Sequence, residues 1–362
     1  MVEPSDLPEG THPTRRTVLG GLLAGGTLLG LGLPLTACDY FPTTEGAWES
    51  VDPATKGWNP TKLEEALTWA GDHASKGVVI LLEGRILAER YWAGLSRTWQ
   101  TDVFSVQKSV SALLAIIAQE KELLGFDTPV AAYLGTGWSN ATVAKEAPIT
   151  IRHLLMMTSG LTEDLTFSTA PNGEWRYNSN AYYCLNKVLA KVADLPIDTL
   201  CHQWLTDRIG CAHNHWAKRG SMIDPKGDTI MALQCSPLDL ARIGLLVLQR
   251  GAWAGTQIIP AAAIDAALSP SQTKNPSYGQ LWWLNGQTSY TNAAGTKVSG
   301  SIIPSAPADL RCALGFADQK IYVSPSKKLV VTRLGEKGST DPAETIGGFD
   351  NPFWQRLAAA MP

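Results

Sequence analysis

The chain is poor in charge. Only 17% of its 362 residues are Asp, Glu, Lys or Arg, against about 25% in an average soluble domain. Thirty basic and 33 acidic residues leave a net charge of −3. That balance excludes the basic surplus of a nucleic-acid binder and the strong net charge of a disordered chain. Six cysteines are too few for a disulfide-built scaffold, and without a CxxC pair they do not form a zinc ribbon. There is no Gly-x-Ser-x-Gly turn, no Gly-Lys dipeptide of a phosphate-binding loop, and no His-Glu pair that starts a zinc helix. Cys211-x-His213-x-His215 is the one metal-like spacing, and it lacks a fourth ligand. No metal or cofactor is expected. What the chain does have is 44% hydrophobic content, ample for a buried core.

The first forty residues read as an address. Thr14-Arg15-Arg16-Thr17-Val18-Leu19 precedes an apolar, glycine-rich run that ends Leu35-Thr36-Ala37-Cys38. A positive start, an apolar middle and small residues before a cut make an export signal. The arginine pair resembles a twin-arginine signal, and Leu-Thr-Ala-Cys resembles a bacterial lipobox whose cysteine is lipidated. Residues 1–37 are therefore expected to be removed, and Cys38 to anchor the protein to a bacterial membrane on the exported side. A Cys38→Ser variant that stayed wholly with membranes would contradict the anchor. Residues 38–58 have no apolar periodicity and read as a tether. Of the other cysteines, Cys184, Cys201, Cys211, Cys235 and Cys312 are an odd number and read as small buried hydrophobes.

In the remaining chain, Asn59–Ala74 has helical spacing, and Val78–Glu83 with Arg85–Trp92 reads as a hairpin turning at Gly84. Apolar spacing is then mostly helical over 106–119, 151–157, 180–193, 198–207 and 237–249. Strand signals return at Tyr278–Leu284, Leu310–Phe316, Lys320–Ser324 and Lys328–Leu334, and Asn351–Met361 closes as a helix. The pattern predicts an α+β fold. An antiparallel sheet built from both chain ends (59–104 and 271–362) carries flanking helices, with an inserted all-helical region over 105–270.

Three Ser-x-x-Lys tetrads occur, at 105–108, 271–274 and 324–327, where chance alone gives about one. Only Ser105 opens a long apolar helix, Val110-Ser-Ala-Leu-Leu-Ala-Ile-Ile-Ala118. Residues i and i+3 are neighbours on a helix, so Lys108 stands beside Ser105. A serine hydroxyl is a weak nucleophile until a base takes its proton. A free lysine is neutral only about once in 2,500 at pH 7, a gap of roughly 4.6 kcal/mol. Burial and a second cation close gaps of this size. The alternative is an ordinary N-cap serine with a solvated lysine.

The stretch Phe104-Ser-Val-Gln-Lys-Ser-Val-Ser-Ala-Leu-Leu114 resembles the first block of serine β-lactamase-related hydrolases, the class C-like group. Ile149–Leu161, Trp175-Arg-Tyr-Asn-Ser-Asn-Ala-Tyr182 and Ala313-Leu-Gly-Phe-Ala-Asp-Gln-Lys-Ile-Tyr-Val-Ser-Pro325 resemble three further blocks in the family's order. The last is most similar to the esterase and 6-aminohexanoate-dimer-hydrolase branch. The resemblance implies a β-lactamase/transpeptidase-like fold with a helical domain at 105–270. It implies Ser105 as the acylated nucleophile, Lys108 as its base and Tyr177 as the group that shares the proton and passes it to the leaving group. Ser179 occupies the family's asparagine position. The backbone N–H groups of Ser105 and Phe316 would form the oxyanion hole, and Gly315 would leave room for substrate. Relatives place Lys-Thr-Gly or His-Thr-Gly where this chain has Ala313-Leu314-Gly315, so a cation is missing; Arg311, on the same strand side, is the candidate substitute. The resemblance thus implies a small ester, amide or peptide substrate, with no nucleic-acid partner. The alternatives are a β-lactamase or D,D-peptidase and, with altered second and third motifs, a non-catalytic cell-envelope binding lipoprotein.

Overall fold

The computed structural model describes residues 40–43, 48–338 and 348–362, and these belong to one compact unit. The expected signal and Cys38 lie outside the described residues.

Helix α1 (Pro60–Asp72) starts where the Asn59 side chain accepts from Lys62 N at 3.1 Å and Pro60 fixes the first turn. It leads into the hairpin β1 (Ser75–Leu82) and β2 (Arg85–Tyr91). Strand β3 (Thr101–Asp102) is followed by helix α2 (Val106–Glu120), whose residues from Val106 to Ala118 are all buried. Helix α3 (Ser179–Ala193) and the hairpin β4 (Asn214–Ile223) and β5 (Thr229–Cys235) come next, then helix α4 (Pro237–Leu248). The chain ends with β6 (Trp283–Leu284), β7 (Arg311–Gly315), β8 (Gln319–Ser324), β9 (Leu329–Gly335) and helix α5 (Asp350–Ala360).

The main sheet runs β2-β1-β9-β8-β7-β6, antiparallel throughout. Val79 sits opposite Thr332, so the two ends of the chain meet at the sheet's centre, as the α+β reading expects. Helix α4 lies against this sheet. Its Gly244 has no room for a side chain, because a Cβ there would stand 2.5 Å from Val330 Cγ1 and 3.1 Å from Ile321 Cγ2.

Three expectations are corrected. The region 105–270 is mainly but not wholly helical, since β4 and β5 pair in it and β3 joins them as a second, three-stranded sheet. The strand expected over 278–284 shrinks to Trp283–Leu284 because Leu281 turns left-handed (φ 57°) and the N–H groups of Gln280 and Leu281 bond to Ala267 and Leu155 instead of a strand. The described part of the expected tether is docked. Ser50 bridges Ile86, Trp48 is buried with its Nε1 on the Gly84 carbonyl, and buried Arg242 donates to the carbonyls of Pro42 and Thr43. The five described cysteines are all free and buried, as expected. Cys211 Sγ faces the Asp239 carbonyl while His215 Nδ1 pairs with Gln100.

Candidate active site

Ser105 stands at the junction of two constraints. Upstream, β3 is pinned to β5, and the Asp102 carboxylate accepts the Phe104 N–H at 2.7 Å. Phe104 itself is held at φ 47°, the left-handed region that a bulky residue avoids. Downstream, α2 begins. Ser105 takes the N-cap position, yet its side chain makes no cap bond. Its Oγ instead accepts from Lys108 Nζ at 3.0 Å. Lys108 is only 3% exposed. Neither half of the ordinary reading survives: the serine does not cap and the lysine is not solvated.

The Lys108 amine lies between two aromatic faces, 4.9 Å from the ring centres of Tyr177 and of Tyr182. The Tyr182 hydroxyl is occupied by Ser111 and Asn186. Ser105 is the neighbouring polar side chain that pulls the Tyr177 phenol down. The structure therefore brings Ser105, Lys108 and Tyr177 together. Tyr177 is kept in place by its ring, stacked on Trp283 at 6.0 Å and 20°, and Trp283 packs in turn against Trp175 and Tyr278.

Burial first, and then the positive charge of Arg219, pull the Lys108 amine down to about 7, against a smaller opposing pull from Glu163. At neutral pH a large fraction of that amine is uncharged, and a neutral amine 3.0 Å from a hydroxyl can take its proton as the oxygen attacks a carbonyl. Tyr177 moves the other way. Burial raises its phenol, only partly offset by the neighbouring Ser105, so it stays protonated, a state suited to passing a proton on and not to acting as a phenolate base.

Arg219 is the residue that sequence reasoning missed. It projects from β4, where it makes a two-pronged bond to Asp102 (2.7 and 2.8 Å) and donates also to Tyr183 Oη at 2.8 Å and Gln107 Oε1 at 3.2 Å. Its guanidinium lies 5.3 Å from the Phe104 ring centre. It thus supplies the second cation. Arg311 does not: its Nη1 bonds the Leu310 carbonyl, and it is not among the groups acting on Lys108.

Gly315 is also fixed by packing. A Cβ there would stand 2.4 Å from the Val103 carbonyl oxygen, so the glycine lets β7 abut the turn that precedes Ser105. That contact, together with the ring pair Phe104–Phe316 at 5.3 Å, brings Phe316 to the nucleophile's turn. Among the described residues, neither the Ser105 nor the Phe316 backbone N–H donates to a protein acceptor. Ser179 opens α3 with its N–H on Glu163 Oε1 at 2.9 Å. The preceding Asn178 caps that helix and ties it to the Leu161 and Thr162 carbonyls.

The Beta-lactamase family model matches residues 61–346 of the chain. No curated protein sequence matches it. Among solved structures, it resembles a Bacillus anthracis protein described as a 6-aminohexanoate-dimer hydrolase, at 16% identity over 88% of each chain with a TM-score of 0.67. It also resembles EstCE1, a hydrolase with promiscuous acyltransferase activity, at 16% identity over 83% of this chain and 98% of that one, TM-score 0.61. A beta-lactamase from Mycobacterium bovis aligns at 17% identity over 81% of this chain and 96% of its own, TM-score 0.59.

Proposed function

This chain belongs to the Beta-lactamase family, as a serine hydrolase of that fold, and from that premise we propose that it cleaves small uncharged esters or amides through an acyl-enzyme on Ser105. Lys108 takes the proton from Ser105 as Oγ attacks the carbonyl carbon. The backbone N–H groups of Ser105 and Phe316 hold the oxyanion, and one such donor is worth about 2.7–4 kcal/mol. Tyr177 passes the proton to the leaving group as the carbon–heteroatom bond breaks. Water then attacks the acyl-serine while Lys108 accepts its proton, and the acyl–Oγ bond breaks as that proton returns to Ser105 and the free acid departs.

The observation that carries this reading is a serine at a helix start whose hydroxyl caps nothing and is bonded to a buried lysine. The preference for uncharged substrates is supported by the third block. Ala313 is fully buried where relatives carry a cation, and Arg311 is turned to a backbone carbonyl, so neither of these two described positions presents a charge to a β-lactam carboxylate. Export and anchoring through Cys38 rest on the sequence of residues 14–38.

A fluorophosphonate probe tests the assignment. The wild-type protein is expected to be labelled stoichiometrically, and Ser105→Ala not at all. Equal labelling of both removes Ser105 from the role. Rapid cleavage of nitrocefin by a protein inert to p-nitrophenyl esters and anilides overturns the substrate preference.

A further inference from the structure

Phe316 is 70% exposed, and its ring does not stand alone: it pairs with half-buried Phe104 at 5.3 Å to make one apolar patch. It is presented at some cost. The two residues behind it, Ala317 and Asp318, are both left-handed, at φ 56° and 63°. Their carbonyls are pinned by Nη1 of fully buried Arg333, at 2.8 and 3.1 Å, and the Asp318 carboxylate is tied to buried Lys320 at 3.2 Å. Strain that is held in place this firmly marks a conformation with a use. The outcome is that the Phe316 ring meets Phe104 edge to face beside Ser105. Phe104 is also left-handed, and Arg219 covers it from another side.

The aromatic groups around Ser105 fall into two separate sets. Tyr177 belongs with Trp175, Tyr278 and Trp283, and no ring contact joins these to the Phe104–Phe316 pair among the described residues. The leaving group must depart on the side of its proton donor, Tyr177. The pair is then left to the acyl side of the scissile carbonyl.

We infer that Phe104 and Phe316 form an apolar shelf for the acyl chain of the substrate, making the enzyme selective for esters or amides of medium-length aliphatic or aromatic acids over acetyl compounds. This rests on the hydrolase reading above and adds the acyl class. Both rings are fixed to the reaction centre by their own backbones: Phe104 precedes the nucleophile, and Phe316 carries an oxyanion donor. An acyl chain cannot leave the carbonyl on that side without running along them.

The test is a series of p-nitrophenyl esters from acetate to octanoate, measured on the full chain as wild type, Phe316→Ala and Phe316→Leu. Wild-type kcat/KM is expected to rise from acetate to hexanoate by about tenfold, the scale for a partly covered four-carbon extension. Phe316→Ala is expected to abolish most of that rise, and Phe316→Leu to keep most of it. The hexanoate-to-acetate ratio is the readout, so any common loss from a disturbed oxyanion donor cancels. A flat wild-type profile, or an unchanged ratio in Phe316→Ala, overturns the shelf while Ser105-dependent turnover still upholds the hydrolase. Absence of Ser105-dependent turnover and labelling overturns the hydrolase reading, and the shelf with it.

Discussion

Replacing Arg219 with glutamine removes the only cation found to act on the Lys108 amine and leaves the Asp102 carboxylate without its two-pronged partner. Both changes favour the ammonium form, so the amine must rise from its value of about 7. Burial is the larger cause of the lowering and is untouched, so the rise stops short of the ordinary 10.5. A single nearby charge in a partly buried site is worth about one to two pKa units. With the wild-type amine near 7, about a tenth of it is neutral at pH 6; an amine near 8.5 is about 0.3% neutral there. Hydrolysis by Arg219→Gln should accordingly fall about thirtyfold at pH 6 and recover as pH rises past 9. The assay is the pH dependence of kcat/KM for a p-nitrophenyl ester, whose acid limb reports the free enzyme's base. The double variant Asp102→Asn/Arg219→Gln removes the stranded carboxylate and should bring the limb part of the way back. An acid limb that stays in place while the rate falls uniformly would show that Arg219 only supports the fold, and would refute the electrostatic argument.

Lys108→Met should stabilise the protein. The native value of about 7 lies below the unfolded 10.5, so between those limits the unfolded chain binds a proton that the native one does not, and stability rises with pH. The lysine's penalty is fully present below pH 7 and fades toward 10.5, with a ceiling of roughly 5 kcal/mol. Urea unfolding should give the variant a gain of about 2–4 kcal/mol at pH 6 that shrinks by pH 9.5, and an equal gain at both would contradict the lowered amine. Gly315→Ala puts a methyl 2.4 Å from the Val103 carbonyl, so β7 or the Ser105 turn must move. Overpacking of this kind costs about 1–3 kcal/mol, and probe labelling of Ser105 should slow at least tenfold, whereas unchanged labelling and Tm would show that the abutment is dispensable.

The parts of the fold that could be read from sequence are those whose apolar pattern is local. Helix α2 declares itself because every position from Val106 to Ala118 is buried, and β8 and β9 because their short apolar stretches Ile321-Tyr-Val323 and Leu329-Val-Val331 lie inside the sheet. Strand β4 gives no such signal. Beyond Trp216 its residues Lys218, Gly220, Ser221, Met222 and Ile223 are exposed, with Ala217 and Arg219 half-buried, and what makes it a strand is its pairing with β5. Arg219 was invisible for the same reason. Its main partner, Asp102, is 117 residues away in sequence, and no spacing rule connects a strand arginine to a lysine on another element. Gly315 was noticed through its motif, but its close approach to the Val103 carbonyl could not be, because only the three-dimensional path brings the two together.

The departure in the third block then makes physical sense. A cation at the third block of a relative's site does two things at once: it lowers the amine of the base, and it offers a charge to an anionic substrate. In this chain Arg219 supplies the first task from β4, beside the Phe104 ring, where it is engaged by Asp102, Gln107 and Tyr183. A guanidinium so fully engaged still exerts its field on Lys108 but has few donors left for a substrate. The place of the relative's cation is taken by buried Ala313, with exposed Phe316 three residues on. The base keeps its electrostatic support while the substrate's charge partner is replaced by apolar surface. On the proposed reading, the arrangement that supports the proton chemistry of Ser105 would at the same time favour greasy, uncharged substrates over carboxylate-bearing ones.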